Sequence, residues 1–281
     1  MPTISPISPV LVTGATGKTG TRVTRGLEAM GVTVRAASRA GATRFDWDDR
    51  STWAPALEGA AGHSIAYAPD LTVPGAAETV AALAGAAREA GVRRIVLLSG
   101  RGEEEAQRAE RLVQAAAPAA TIVRSAFFMQ NFSESIFLEP VLAGEVALPV
   151  GDVAEPFVDA GDVAGVMVAA LTEDGHAGRV HEVTGPRLLT FAEAVAEIAH
   201  AAGRDIGYVT VPAAAYAQEL AAAGVPDDVV QLLGSLFAEV LDGRNASVTG
   251  GVQQALGRPP RDFAEYAAGV ARTGVWVPVG V

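Results

Sequence analysis

The sequence contains no cysteine. Disulfides, thiolate nucleophiles and thiolate metal sites are therefore excluded. Lysine is almost as scarce: Lys18 is the only one in 281 residues. No apolar run is long enough to cross a bilayer, because Gly, Pro and charged residues break up the Ala-rich stretches. Basic residues are outnumbered, and the net charge of −11 argues against a nucleic-acid partner, since phosphate binding needs clustered Lys and Arg. The plainest use of that charge is solubility. The opening MPTISPISP is polar and Pro-rich and lacks the apolar run of a secretory signal. It is expected to form a loose leader before the first strand, in a cytoplasmic protein.

The rest of the first half alternates apolar strand-length runs with helical patterns. PVLVTG, GVTVRAASR, SIAYAP, VRRIVLLSG and ATIVRSAF read as strands. Helices are expected over residues 17–30, 52–60, AAETVAALAGAAREAG and EEEAQRAERLVQAAA. This alternation predicts an α/β fold with a doubly wound parallel sheet. After about residue 150 the pattern becomes mixed. PFVDAGDVAGVMVAAL reads as a loop entering a helix, and RVHEVTGP and GYVTVP as short strands. Thr190 and Glu193 have capping-box spacing, and residues 213–242 read as two helices joined at Gly224-Val225-Pro226. We expect one domain over residues 1–150 and a smaller mixed α/β lobe over 151–281, with a soft boundary and segments able to interleave.

The loop VLVTGATGKTG ends in Gly-Lys-Thr, as does the phosphate loop of nucleoside triphosphatases. That motif needs a glycine at position 12, where this chain has Val12. The glycines at 14, 17 and 20 instead have dinucleotide-binding spacing, between a strand and a helix. Gly14 permits the turn, Gly17 lets backbone approach the pyrophosphate, and Gly20 allows close helix packing. Thr16, Lys18 and Thr19 add hydroxyls and a charge, and the helix N-terminus offers amides. The second strand ends without the acid that would bind an NAD ribose. Ser38 and Arg39 stand there instead, and Arg39 suits a 2′-phosphate, which points to NADP(H). Asp46 and Trp47 either line an adenine pocket or form a turn with a packed indole.

These segments, with VLLSG, TIVRSAFFMQNF, PFVDAGDVAGVMVAALTEDGHAGRVHEVTGP, LTFAEAVAEIAHAAGR and LGRPPRDFAEYA, resemble the NmrA-like branch of the atypical short-chain dehydrogenase/reductases. The resemblance covers nearly the whole chain. It implies a Rossmann domain binding NADP(H) and a C-terminal substrate-binding lobe. It also implies that Tyr67, Ala68, Pro69, Ser99, Gly100 and the stretch from Arg124 to Phe128, Ser125 included, line the nicotinamide end.

The classical dehydrogenase pair Tyr-x-x-x-Lys is missing, because Lys18 lies in the glycine loop and the helix after Ser99 has neither residue. Hydride transfer to a quinone or conjugated ketone demands less acid catalysis than carbonyl reduction and relies on positioning. The alternative is a cofactor-sensing regulator that binds a protein partner; a third is an isomerase or cyclase. Asn131 either contacts a substrate carbonyl or caps a helix, and Ser99 is a second candidate to polarise a carbonyl. Phe127, Phe128, Met129 and Phe132 are expected to divide between a substrate wall and the core. Arg101 is either an anion contact or a solvated charge. His63, His176, His181 and His200 fit no metal template, and surface roles are expected for His176 and His181.

Overall fold

The computed structural model describes residues 9–278, so the leader expected at the start lies, up to residue 8, outside them. The chain forms two compact units that interleave in sequence. The first runs through Ser125 and takes in Ala160–Val183 and Gly250–Arg258. The second comprises Ala126–Asp159, Thr184–Thr249 and the chain from Pro259 onward. The first crossing therefore falls at the end of a strand, after Ser125, and not near residue 150.

The first unit is built on a seven-stranded parallel sheet. Numbered along the whole chain, its strands are β1 (Val10–Thr13), β2 (Val34–Ser38), β3 (Thr43–Arg44), β4 (Gly62–Ile65), β5 (Arg94–Gly100), β6 (Thr121–Ser125) and β9 (Val180–Val183). Their order is β3-β2-β1-β4-β5-β6-β9. Val10, Leu11 and Val12 are fully buried, as continuous apolar runs in a two-sided parallel sheet should be. Its helices are α1 (Lys18–Ala29), α2 (Trp53–Leu57), α3 (Ala76–Glu89), α4 (Glu104–Ala116), α7 (Ala160–Thr172) and α11 (Gly251–Leu256). The expected third strand is displaced: β4 starts at Gly62, and Ala66 to Pro69 lie beyond its end. Burial of His63 and Ser64 inside the sheet hid this start from a reading that looks for apolar residues.

The second unit holds α5 (Asn131–Glu134), α6 (Leu138–Ala143), β7 (Glu145–Leu148), β8 (Ala154–Glu155), β10 (Leu189–Thr190), α8 (Phe191–Ala202), β11 (Gly207–Thr210), α9 (Ala213–Ala222), α10 (Asp227–Ser235), a π-helical turn at Leu236–Val240, and α12 (Phe263–Ala271). β7 pairs with β11 in parallel, and β8 with β10 antiparallel. Phe132, Phe137, Phe157, Phe191, Phe263 and Trp276 pack as one aromatic core. The Thr190–Glu193 capping box that opens α8 is complete: each side chain accepts from the other residue's amide. Among the described residues no helix is long and apolar enough to span a membrane.

Candidate functional site

β1 has β2 on one side and β4 on the other, and the chain reverses its direction of winding there. The carboxyl ends of such strands form the crevice where doubly wound sheets bind ligands. The glycine loop leaves β1 at that point. Gly14 has φ +68°, and a Cβ on it would lie 2.8 Å from the Ala66 carbonyl oxygen. A Cβ on Gly20 would collide with the Gly14 carbonyl. Gly17 is the N-cap of α1, with extended backbone and no side-chain cap hydrogen bond. A Cβ on Gly17 would meet only the Gly14 carbonyl oxygen, at 3.4 Å. The loop is thus closed tightly on itself and on Ala66, at the start of a twelve-residue helix that has no side-chain cap. This cradle fits a pyrophosphate. Thr16 and Gly17 are exposed, Lys18 is half-buried, and Thr19 is buried.

On the β2 side, Ser38 is half-buried and its hydroxyl lies over Gly41. Arg39 is exposed and has no ion-pair partner among the described residues. Asp46 forms a turn: its Oδ1 accepts from the Asp48 amide at 3.1 Å, and its carbonyl accepts from the Trp53 indole at 2.9 Å. Trp47 packs on Phe45 and Tyr67, with ring centroids 4.9 and 4.7 Å away. Turn and packed indole therefore describe the pair as it stands. Tyr67 is partly buried, and desolvation, reinforced by Asp48, raises its phenol above the ordinary range. Ala68 and Pro69 are exposed and joined by a cis peptide.

On the β5 side the structure departs from expectation. Ser99 is buried, and its hydroxyl donates to Glu110 at 2.7 Å. Arg124 also donates to Glu110 through both Nε and Nη2, and to Glu182 through Nη1 at 3.3 Å. Arg101 is buried and donates to Glu182 at 2.6 Å. Arg101 is therefore neither a solvated charge nor an open anion contact: β9 supplies a carboxylate that engages it. Ser99 belongs to this buried network, and its hydroxyl points at α4, not at a ligand's carbonyl. Ser125 is buried and half-buried Gly100 ends β5.

His176 and His181 are buried, not at the surface, and their ring nitrogens are 3.0 Å apart. Burial lowers both imidazoles below the ordinary range. His63 is fully buried on β4, and desolvation lowers it to about 3.

In the second unit Met129 and Phe132 are fully buried in the aromatic core, which corrects their assignment to a substrate wall. Phe127 and Phe128 keep partial exposure. Phe127 stands against Phe137, Phe157 and Phe191. Asn131 begins α5 without capping it, and its side-chain amide has no protein partner among the described residues.

One residue escaped the sequence reading. Glu103 precedes α4, and its carboxyl bonds to none of the helix amides. It folds back onto Gly100, where a Cβ would fall 2.7 Å from its Oε1. Desolvation, then the negative charge of Asp70, pushes it up to about 8. The sequence shows here only an acidic first turn, which helix-dipole reasoning explains too readily.

A family model described as the NmrA-like family matches residues 7–267. An NAD(P)H azoreductase from Xenophilus azovorans is 34% identical over 69% of this chain and 71% of its own length. An uncharacterised oxidoreductase, YesF, from Bacillus subtilis is 31% identical over 96% of both chains. The solved structure of the Escherichia coli NADPH-dependent quinone oxidoreductase QOR2 with NADPH superposes with a TM-score of 0.75. It covers 93% of this chain and 99% of that one at 21% identity.

Proposed function

Because the chain belongs to the NmrA-like family, we propose that it is an oxidoreductase that binds NADP(H) on the glycine loop and reduces a quinone or conjugated ketone. The observation that carries this reading is the cradle: glycines whose Cβ atoms would fill it, below an uncapped helix end at the β1/β4 reversal. Arg39 supports the choice of NADP(H), since a free guanidinium at the end of β2 suits a 2′-phosphate. The names of the azoreductase, the YesF oxidoreductase and the quinone oxidoreductase support the reaction class.

The bound cofactor supplies a hydride. The chain's own residues bind, orient and exclude water. Gly14, Gly17 and Gly20 shape the phosphate site, with Thr16, Lys18 and Thr19 around it. Ser38 and Arg39 hold the adenosine end, and Asp46 and Trp47 support it as a turn and a packed indole. Tyr67, Ala68, Pro69, Ser99, Gly100 and Ser125 form or support the rim at the other end. Phe127 and Phe128 are assigned as apolar contacts for the acceptor, and the Asn131 amide as donor to its carbonyl. No Tyr–Lys pair is involved, because none is encoded.

The test is NADPH consumption by the purified protein against a panel of quinones and enones, with NADPH binding measured in parallel. Turnover on one of them is expected. Tight binding without turnover on any acceptor would replace this reading with a cofactor-sensing regulator.

A further inference from the structure

A reductase without the Tyr–Lys pair still has to place a proton on the acceptor, and the end of β5 holds a carboxyl suited to that step. β4 and β5 are adjacent parallel strands, with Ile65 beside Leu97. The segments that leave them, 66–70 and 101–103, therefore emerge at the same edge of the sheet. Gly14 packs on Ala66 at that edge, so the glycine loop and these segments form a continuous rim. Arg39 stands at the β2 end of the rim and Glu103 at the β5 end. Three strand spacings, roughly 14 Å, separate β2 from β5, so Arg39 and Glu103 stand at opposite ends of this rim.

The Glu103 carboxyl serves no structural purpose that its neighbours reveal. It leaves the amides of α4 unbonded, although a carboxylate there would stabilise the helix end. The charge that faces it is Asp70, from the segment after β4. Arg101, in the same turn, is bonded to Glu182 on β9. Glu104 and Glu105, on its own helix, are exposed. Desolvation and a like charge both favour the neutral acid, so at neutral pH the group carries its proton. Gly100 makes the position possible, because any side chain there would occupy the space of the carboxyl.

We propose that Glu103, folded onto Gly100 at the rim of the sheet, is the proton donor to the reduced acceptor. This rests on the reductase reading given above. The acceptor would gain two electrons in the form of a hydride from the dihydronicotinamide, which would leave oxidised. The oxyanion left on the acceptor takes the proton of the Glu103 carboxyl, and the O–H bond of the acid breaks. Solvent returns a proton to the carboxylate before the next turnover.

Glu103→Gln keeps the shape and a hydrogen-bond donor but has no proton to transfer. In the cofactor-free protein at pH 7, the infrared band of a protonated carboxyl is expected in the wild type and missing from the variant. With NADPH and an enone, kcat/KM of the wild type is expected to fall as pH rises through the ionisation near 8. The variant should bind NADPH normally, turn over on the order of a hundredfold more slowly at pH 7, and lose that alkaline limb. Turnover within twofold of wild type with the same limb would overturn the donor assignment alone. NADPH binding without wild-type turnover on any acceptor would overturn the reductase reading and the donor with it. An unchanged infrared band in the variant would place the protonated carboxyl elsewhere and also overturn the assignment.

Discussion

Arg39 separates two cofactors that differ by one phosphate. An exposed guanidinium without a carboxylate partner has its charge available for the 2′-phosphate, and NADH has no such group. Arg39→Ala should weaken NADPH binding by roughly ten- to a hundredfold and leave NADH binding nearly unchanged, as read by titration of each cofactor. Equal losses would remove Arg39 from the phosphate site. At this scale the sequence revealed residue types well and side-chain directions poorly. Arg39 was legible because its meaning comes from the strand end it follows and the acid it replaces. Ser99 and Arg101 were not, because their partners Glu110 and Glu182 lie 11 and 81 residues away. Met129 and Phe132 looked the same as Phe127 and Phe128, and only packing distinguishes the wall from the core. Glu103 was missed because its significance depends on Gly100 having no side chain above which it must fit.

At the scale of the element, the junction of β1 and α1 combines two demands that mutation can separate. Gly20 is needed for packing, since a methyl group there strikes the Gly14 carbonyl. Gly20→Ala should cost about 1–3 kcal/mol of stability, as overpacked sites do, and lower Tm. Gly17 has more room inside the protein, with one contact at 3.4 Å. Gly17→Leu should leave Tm close to wild type while abolishing NADPH binding, because its side chain takes the place of the phosphate. Retained binding by Gly17→Leu would place the pyrophosphate elsewhere. The βα alternation and the glycine spacing made this junction readable from sequence. β4 was less so: a fully buried polar pair, His63 and Ser64, opens it, and the apolar pattern resumes only at Ile65.

At the scale of the whole molecule, His63 ties stability to pH. Its imidazole is fully buried, its Nδ1 has no partner, and its folded value is about 3 against an ordinary 6.5. The unfolded chain therefore binds a proton that the native one refuses between those values. Stability from this group is complete above 6.5 and is lost as pH falls towards 3. The loss amounts to about 2 kcal/mol at pH 5 relative to pH 7. Urea unfolding at the two pH values should show it, and His63→Gln, which cannot take up that proton, should show a smaller drop. An equal drop in the variant would assign the acid sensitivity to other groups. The whole-molecule plan was only partly legible. The parallel sheet follows from the alternation of patterns, but the two crossings back into the first unit, at Ala160–Val183 and Gly250–Arg258, carry no local mark in the sequence.

The most direct test of the central claim is to supply NADPH deuterated at the nicotinamide C4 position with an enone acceptor and analyse the product by mass spectrometry and NMR. The reductase account predicts one deuterium at the β-carbon and a solvent-derived hydrogen beside it. A protein that binds the labelled cofactor and yields no labelled product would contradict the account.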